Sequence, residues 1–153
     1  MKIIYYCYGG THSSVLSAAI HTNLLPQDRV PEQSEILNLP YYDKIRSQEI
    51  GIPLYFGQDE DNNLVYIQGM GRADKIVINT LYSYLANEGI SREQVYLQES
   101  LHNANLLVRI GGFLSRRLGF VFPGRWLTVY GLQLAYPKFV AVVQKVKKEL
   151  TIA

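Results

Sequence analysis

The chain has a single cysteine, Cys7, so no disulfide can close within it. That suits a reducing compartment. Charge is sparse as well: 18% of residues are charged and the formal net charge is +2. No reader motif accompanies the basic residues, so nucleic acid is not an expected partner. No apolar run approaches the roughly 20 residues a membrane-spanning helix needs. The apolar stretch after Lys2 stops at Gly9-Gly10, too soon for the core of a secretory signal. Repeats and low-complexity segments are also missing. These absences predict a cytoplasmic protein with no membrane partner.

What is present is a full hydrophobic complement. Of the 153 residues, 48% are hydrophobic, which suits a folded core rather than disorder. The length reads as a single domain over residues 1–153. Charge is uneven along the chain. From Ala104 onward eight Lys and Arg face one acid, Glu149, whereas seven basic and twelve acidic residues precede Ala104. Lys145, Lys147 and Lys148 complement the negative end of a last helix.

Periodicity predicts the order β-α-β-β-α-β-α-β-α. Lys2 to Tyr8 is apolar on both faces, as in a central strand of a covered parallel sheet. A helix over 13–25 follows, ended by Pro26. Residues 27–51 are irregular, with a short helix near Glu32 to Leu37 and the turn-like Leu39-Pro40-Tyr41-Tyr42-Asp43. A connection this long reads as a lid or a partner surface. Strands over 53–57 and 64–70 form a hairpin with a solvated tip at 58–63. Its Asp-x-Asp spacing lacks the glycine and the closing glutamate of a calcium loop. Ile76, Val77, Thr80, Leu81, Tyr84 and Leu85 give one face of a helix over 72–87, closed by Gly89. A strand over 94–98, a helix from about 103 to 118 and a strand over 126–130 come next. A final helix begins at Pro137, with Phe139, Val142, Val143, Val146 and Leu150 inward. The fold class is therefore α/β: three layers, a mostly parallel sheet with an antiparallel hairpin, and a strand–glycine loop–helix at the N-terminus resembling a P-loop.

That first turn, Cys7-Tyr8-Gly9-Gly10-Thr11-His12-Ser13-Ser14, carries the strongest functional signal. A glycine turn between a strand and a helix N-terminus gathers free N–H groups at the positive end of a helix dipole. Gly9, Gly10, Thr11, His12, Ser13 and Ser14 are the candidate ligand-binding residues. Ser13 or Ser14 would cap the helix and add a hydroxyl, and His12 would add a switchable donor. The plainer reading is a tight turn with a serine cap and no ligand.

Three chemistries can be compared with the turn. A Walker loop needs Gly-x4-Gly-Lys-Ser/Thr, and this turn is shorter and lacks the lysine. A cysteine phosphatase needs Cys-x5-Arg, and Ser13 stands at the arginine position, so the bidentate clamp is missing. Cys7 remains a candidate nucleophile beside its plainer role as a buried strand residue. For a metal, Cys7, His12, His21 and His102 show no zinc-motif spacing. Glu99 and His102, after the strand over 94–98, are candidate catalytic assistants. The turns carrying Arg72 and Arg116-Arg117 are further candidate anion contacts.

Beyond these local signals, the opening Ile3-Ile4-Tyr5 through Ser14, with Ala18-Ala19-Ile20-His21, resembles a known family. So do Gly69-Met70-Gly71-Arg72-Ala73-Asp74-Lys75-Ile76-Val77, the stretch from Arg109 to Gly119, and Ala135-Tyr136-Pro137. The family is DUF3189, an uncharacterised domain of unknown function found mainly in endospore-forming bacteria. The resemblance spans nearly the whole chain. It implies a bacterial cytoplasmic single domain and brings no activity, cofactor or catalytic residue. The residues themselves favour binding of a phosphate-bearing ligand or nucleotide at the first loop, with phosphoryl or phosphoester chemistry if catalysis occurs. Two alternatives stay open: a non-enzymatic regulatory or protein-interaction module using residues 27–51 and surface tyrosines, and a Cys7-dependent thiol or phosphatase-like enzyme.

Overall fold

The computed structural model describes residues 1–100 and 121–152, with side chains described for 1–100 and 126–151. The apolar segment at the N-terminus forms β1 (Lys2–Cys7). Ile3 and Tyr5 point into one hydrophobic cluster and Ile4 into another, which is why the segment is apolar on both faces. After it come α1 (Ser13–His21), α2 (Gln33–Leu37), β2 (Leu54–Gln58), β3 (Leu64–Gly69), α3 (Asp74–Asn87), β4 (Val95–Glu99) and α4 (Val121–Ile152).

The four strands form one sheet in the order β2-β3-β1-β4. β1 is central and parallel to both neighbours, with Tyr5 opposite Ile67 on β3 and Gln98 on β4. β2 pairs antiparallel with β3, completing the expected hairpin. One face of the sheet is covered by α1 and α4. Ile3, Tyr5, Val65 and Ile67 meet Val15, Leu16 and Ile20 of α1, and Leu132, Phe139 and Val143 of α4, in one buried cluster. The other face carries α3, whose Leu81, Tyr82 and Leu85 pack on Ile4, Tyr66, Val95 and Leu97. The expected three layers are therefore present among the described residues.

Two expectations need correction. The predicted strand over 126–130 is helical, and the final helix is already under way at Val121, well before Pro137. Val129, Leu132, Tyr136, Phe139, Val143 and Val146 are all buried, at alternating steps of three and four. That spacing runs unbroken across Pro137 and outweighs the local proline signal. Pro137 itself lies on the exposed side, where water can satisfy the freed carbonyl. The expected helix near 103–118 lies outside the described residues.

The hairpin tip is also less solvated than its composition suggests. Asp59 turns inward until its side chain is 3% exposed. Residues 27–51 send Ile36, Leu39, Tyr42 and Ile45 into the core and leave much of the segment exposed. Among the described residues no helix is long and apolar enough to cross a membrane.

Candidate functional site

Parallel pairing brings the carboxyl ends of β1, β3 and β4 to one edge. The turn after β1 leads to α1 on one face, and the turn after neighbouring β3 leads to α3 on the other. Adjacent strands whose connections leave on opposite faces define a switch point, where open α/β sheets place ligands.

The two turns are joined by backbone. Met70 N–H donates to Cys7 O and Gly71 N–H to Tyr8 O, both at 2.9 Å. Gly10 has φ +72°, and a Cβ there would lie 2.6 Å from Gly69 N. A Cβ on Gly69 would in turn lie 2.9 Å from the Gly9 carbonyl carbon. Glycine at 10 and 69 is thus required for close approach of the two turns. Gly9 has room: its Cβ would meet only Thr11 Cγ2, at 3.9 Å.

Thr11, His12, Ser13 and Ser14 are all buried. The segment after α2 holds them from outside. Thr11 Oγ1 donates to Tyr41 O at 2.9 Å, and Asp43 N–H donates to Thr11 O at 3.2 Å. His12 Nε2 lies 3.3 Å from Asp43 Oδ1, and the His12 ring meets Tyr42 edge-on. Tyr41 and Asp43 both adopt positive φ, +62° and +54°. Left-handed backbone at a bulky non-glycine residue is strained and clusters at functional sites. Asp43 is the residue the sequence reading missed. The turn-like Pro40-Tyr41-Tyr42-Asp43 was its only signal, and that signal says nothing about a partner 31 positions away.

The helix start differs from the serine cap expected. His12 is the N-cap, no side chain caps α1, and no acidic residue stands in its first turn. Ser14 Oγ lies instead 3.3 Å from Cys7 Sγ, and the same sulfur accepts Gly10 N–H at 3.2 Å. The first-turn N–H groups of a helix have no intrahelical acceptor, and the carboxylate near this positive helix end is Asp43, held beside His12 rather than in the first turn. α3 also lacks a side-chain cap but carries Asp74 in its first turn.

The candidate catalytic residues are not brought together. Cys7 is buried at the end of β1. Glu99 pairs in register with Tyr6, on the opposite face from Cys7. Burial, and next the Glu99 carboxylate, hold the Tyr6 phenol above its ordinary value. His102 lies outside the described residues, as do Arg116 and Arg117. His21 is far from the loop, bonded to Tyr5 and Asp59 at the other end of α1. Arg72, directly after Gly71, is exposed and makes no ion pair among the described residues. Ser100 is fully buried, and its hydroxyl has no hydrogen-bond partner among the described residues. Among the described residues no three His, Cys, Asp or Glu gather as a metal site.

Residues 2–148 match the family model described as "Protein of unknown function (DUF3189)", and the chain belongs to that family. No curated protein and no solved structure gives a match.

Proposed function

We propose that this protein binds a phosphate-bearing ligand, such as a nucleotide or a phosphoester, at the Gly9–Ser14 loop. The observation that carries the reading is the start of α1. It opens at the β1/β3 switch point with no capping side chain and no acidic residue in its first turn. An anion there would satisfy first-turn N–H groups that no side chain among the described residues caps. Arg72 on the adjoining turn supplies a cation that the loop's own sequence lacks.

Isothermal titration calorimetry against nucleotides and inorganic phosphate tests this. Gly9→Asp is the matched control, because Gly9 accepts a Cβ without contact to the second turn. The expected result is binding that Gly9→Asp weakens by about tenfold or more through like-charge repulsion. No binding across the panel would remove the reading.

A second reading, a protein-interaction module, rests on α4. Trp126 and Tyr130 stack with ring centroids 5.6 Å apart and are both exposed, as is Leu134 one turn on. Exposed aromatic residues of this kind suit interfaces. Pull-down with Trp126→Ala/Tyr130→Ala that leaves the captured proteins unchanged would remove it.

A further inference from the structure

We propose that Cys7 is a nucleophile that accepts a phosphoryl group from a phosphomonoester seated at the Gly9–Ser14 loop. This deepens the phosphate reading and rests on it.

The sulfur stands at the carboxyl end of β1, beside the uncapped start of α1. It has two polar neighbours, the Gly10 N–H at 3.2 Å and the Ser14 hydroxyl at 3.3 Å. A sulfur that carries negative charge needs donors of this kind, and the thiolate is the nucleophilic form of cysteine.

Ser100 is an independent sign of a ligand. Its N–H donates to Tyr6 O at 2.8 Å, which continues the β1–β4 register and sets Ser100 opposite Cys7. Side chains alternate along a strand, so Ser100 shares with Cys7 the face that α1 covers. Its hydroxyl is wholly buried and has no partner among the described residues. Such a group is costly and calls for an explanation. A phosphoryl oxygen between Cys7 and Ser100 supplies one.

In the first step the Cys7 sulfur attacks phosphorus. The S–P bond forms as the P–O ester bond breaks, and the thiol hydrogen ends on the departing alcohol. Water then attacks phosphorus. A P–O bond forms, the S–P bond breaks, a hydrogen returns to sulfur, and inorganic phosphate leaves. Water is the only co-reactant. Ser14 holds the sulfur, Ser100 holds a phosphoryl oxygen, and Arg72 offers the guanidinium missing from position 13.

The test is alkylation of the folded protein by iodoacetamide, with and without orthovanadate, followed at Cys7 by peptide mass spectrometry. Cys7 should alkylate in the native protein, and orthovanadate, a phosphate analogue that becomes five-coordinate when a nucleophile adds to it, should slow it by roughly tenfold or more. Ser14→Ala should slow alkylation by about tenfold through loss of the hydrogen bond that holds the sulfur. Ser100→Ala should weaken the protection by orthovanadate. p-Nitrophenyl phosphate should be hydrolysed by the natural chain and not by Cys7→Ser. Protection is read on the unaltered protein, so it decides even where a variant does not fold. Alkylation only in denaturant, or at a rate orthovanadate leaves unchanged, overturns the proposal. If phosphate still binds by calorimetry in that case, the ligand reading stands without it. If phosphate does not bind either, both fail.

Discussion

The two ends of α1 are both buried and both polar, yet they are built in opposite ways. At the C-terminal end, Tyr5 O–H donates to His21 Nδ1 at 2.8 Å, and His21 Nε2 meets Asp59 Oδ2 at 2.9 Å. Asp59 also accepts the N–H groups of Asp61 and Asn63 and the Asn63 amide. An ionised carboxylate only accepts, so Nε2 carries the imidazole hydrogen and Nδ1 accepts from Tyr5. Every polar group in this relay is used. At the N-terminal end, among the described residues, the first-turn N–H groups have no capping side chain and Ser100 Oγ has no partner. A buried polar cluster that satisfies itself holds a fold together. One that leaves capacity open has room for something else.

The comparison breaks most sharply if His21→Ala is harmless. That substitution removes a fully buried ring and leaves Tyr5 and Asp59 each short of a partner. Urea unfolding should show a loss of about 3 kcal/mol. Next in size is Gly10→Ala. It puts a Cβ at positive φ and against the Gly69 backbone, and should cost about 2 kcal/mol. Gly9→Ala should stay within about 0.5 kcal/mol, because the space there is open. Equal effects at 9 and 10 would contradict the seam between the two turns.

A graded effect is expected from pH. Burial, partly offset by the hydrogen bond to Asp59, holds His21 below its ordinary value of 6.5. Burial raises Asp59, but the hydrogen bonds from Asn63 and His21 outweigh it and hold the carboxyl below 3.8. In both cases the unfolded chain takes up protons first as pH falls. The relay's contribution should be complete above pH 6.5, decline below that value as the unfolded imidazole protonates, and decline again below 3.8. Urea midpoints measured across this range should fall toward acid. A midpoint that rises from pH 6.5 to 5 would reverse the assignment. A modest stability effect is expected of Ser14→Ala, at most about 1 kcal/mol, since one hydrogen bond to sulfur is lost. A larger loss would make Ser14 a structural residue like His21.

Much of this contrast was legible in residue pattern, though unevenly. β1, the hairpin, α2 and α3 follow from local periodicity and turn chemistry, and each falls within about two residues of its expected bounds. At α4 the local signal of Pro137 points to a helix start, whereas the buried apolar pattern continues through it. The Gly9-Gly10 turn was recognised from sequence, but not that Gly10 serves contact with Gly69. Nor did spacing link His12 to Asp43 or His21 to Asp59, because those partners meet only once the chain has folded over the sheet. Polar composition made the 58–63 tip look solvated, whereas Asp59 is drawn inward by a histidine 38 positions earlier.

Titration of ¹⁵N-labelled protein with inorganic phosphate and with ATP, followed by amide chemical shifts, reads both ends of α1 at once. The amides of Gly9 to Ser14 should move with ligand concentration and reach saturation, while those of Tyr5, His21 and Asp59 stay in place. Loop amides that do not move at high ligand, or shifts confined to the His21 end, would contradict the assignment of the open end of α1 as a binding site.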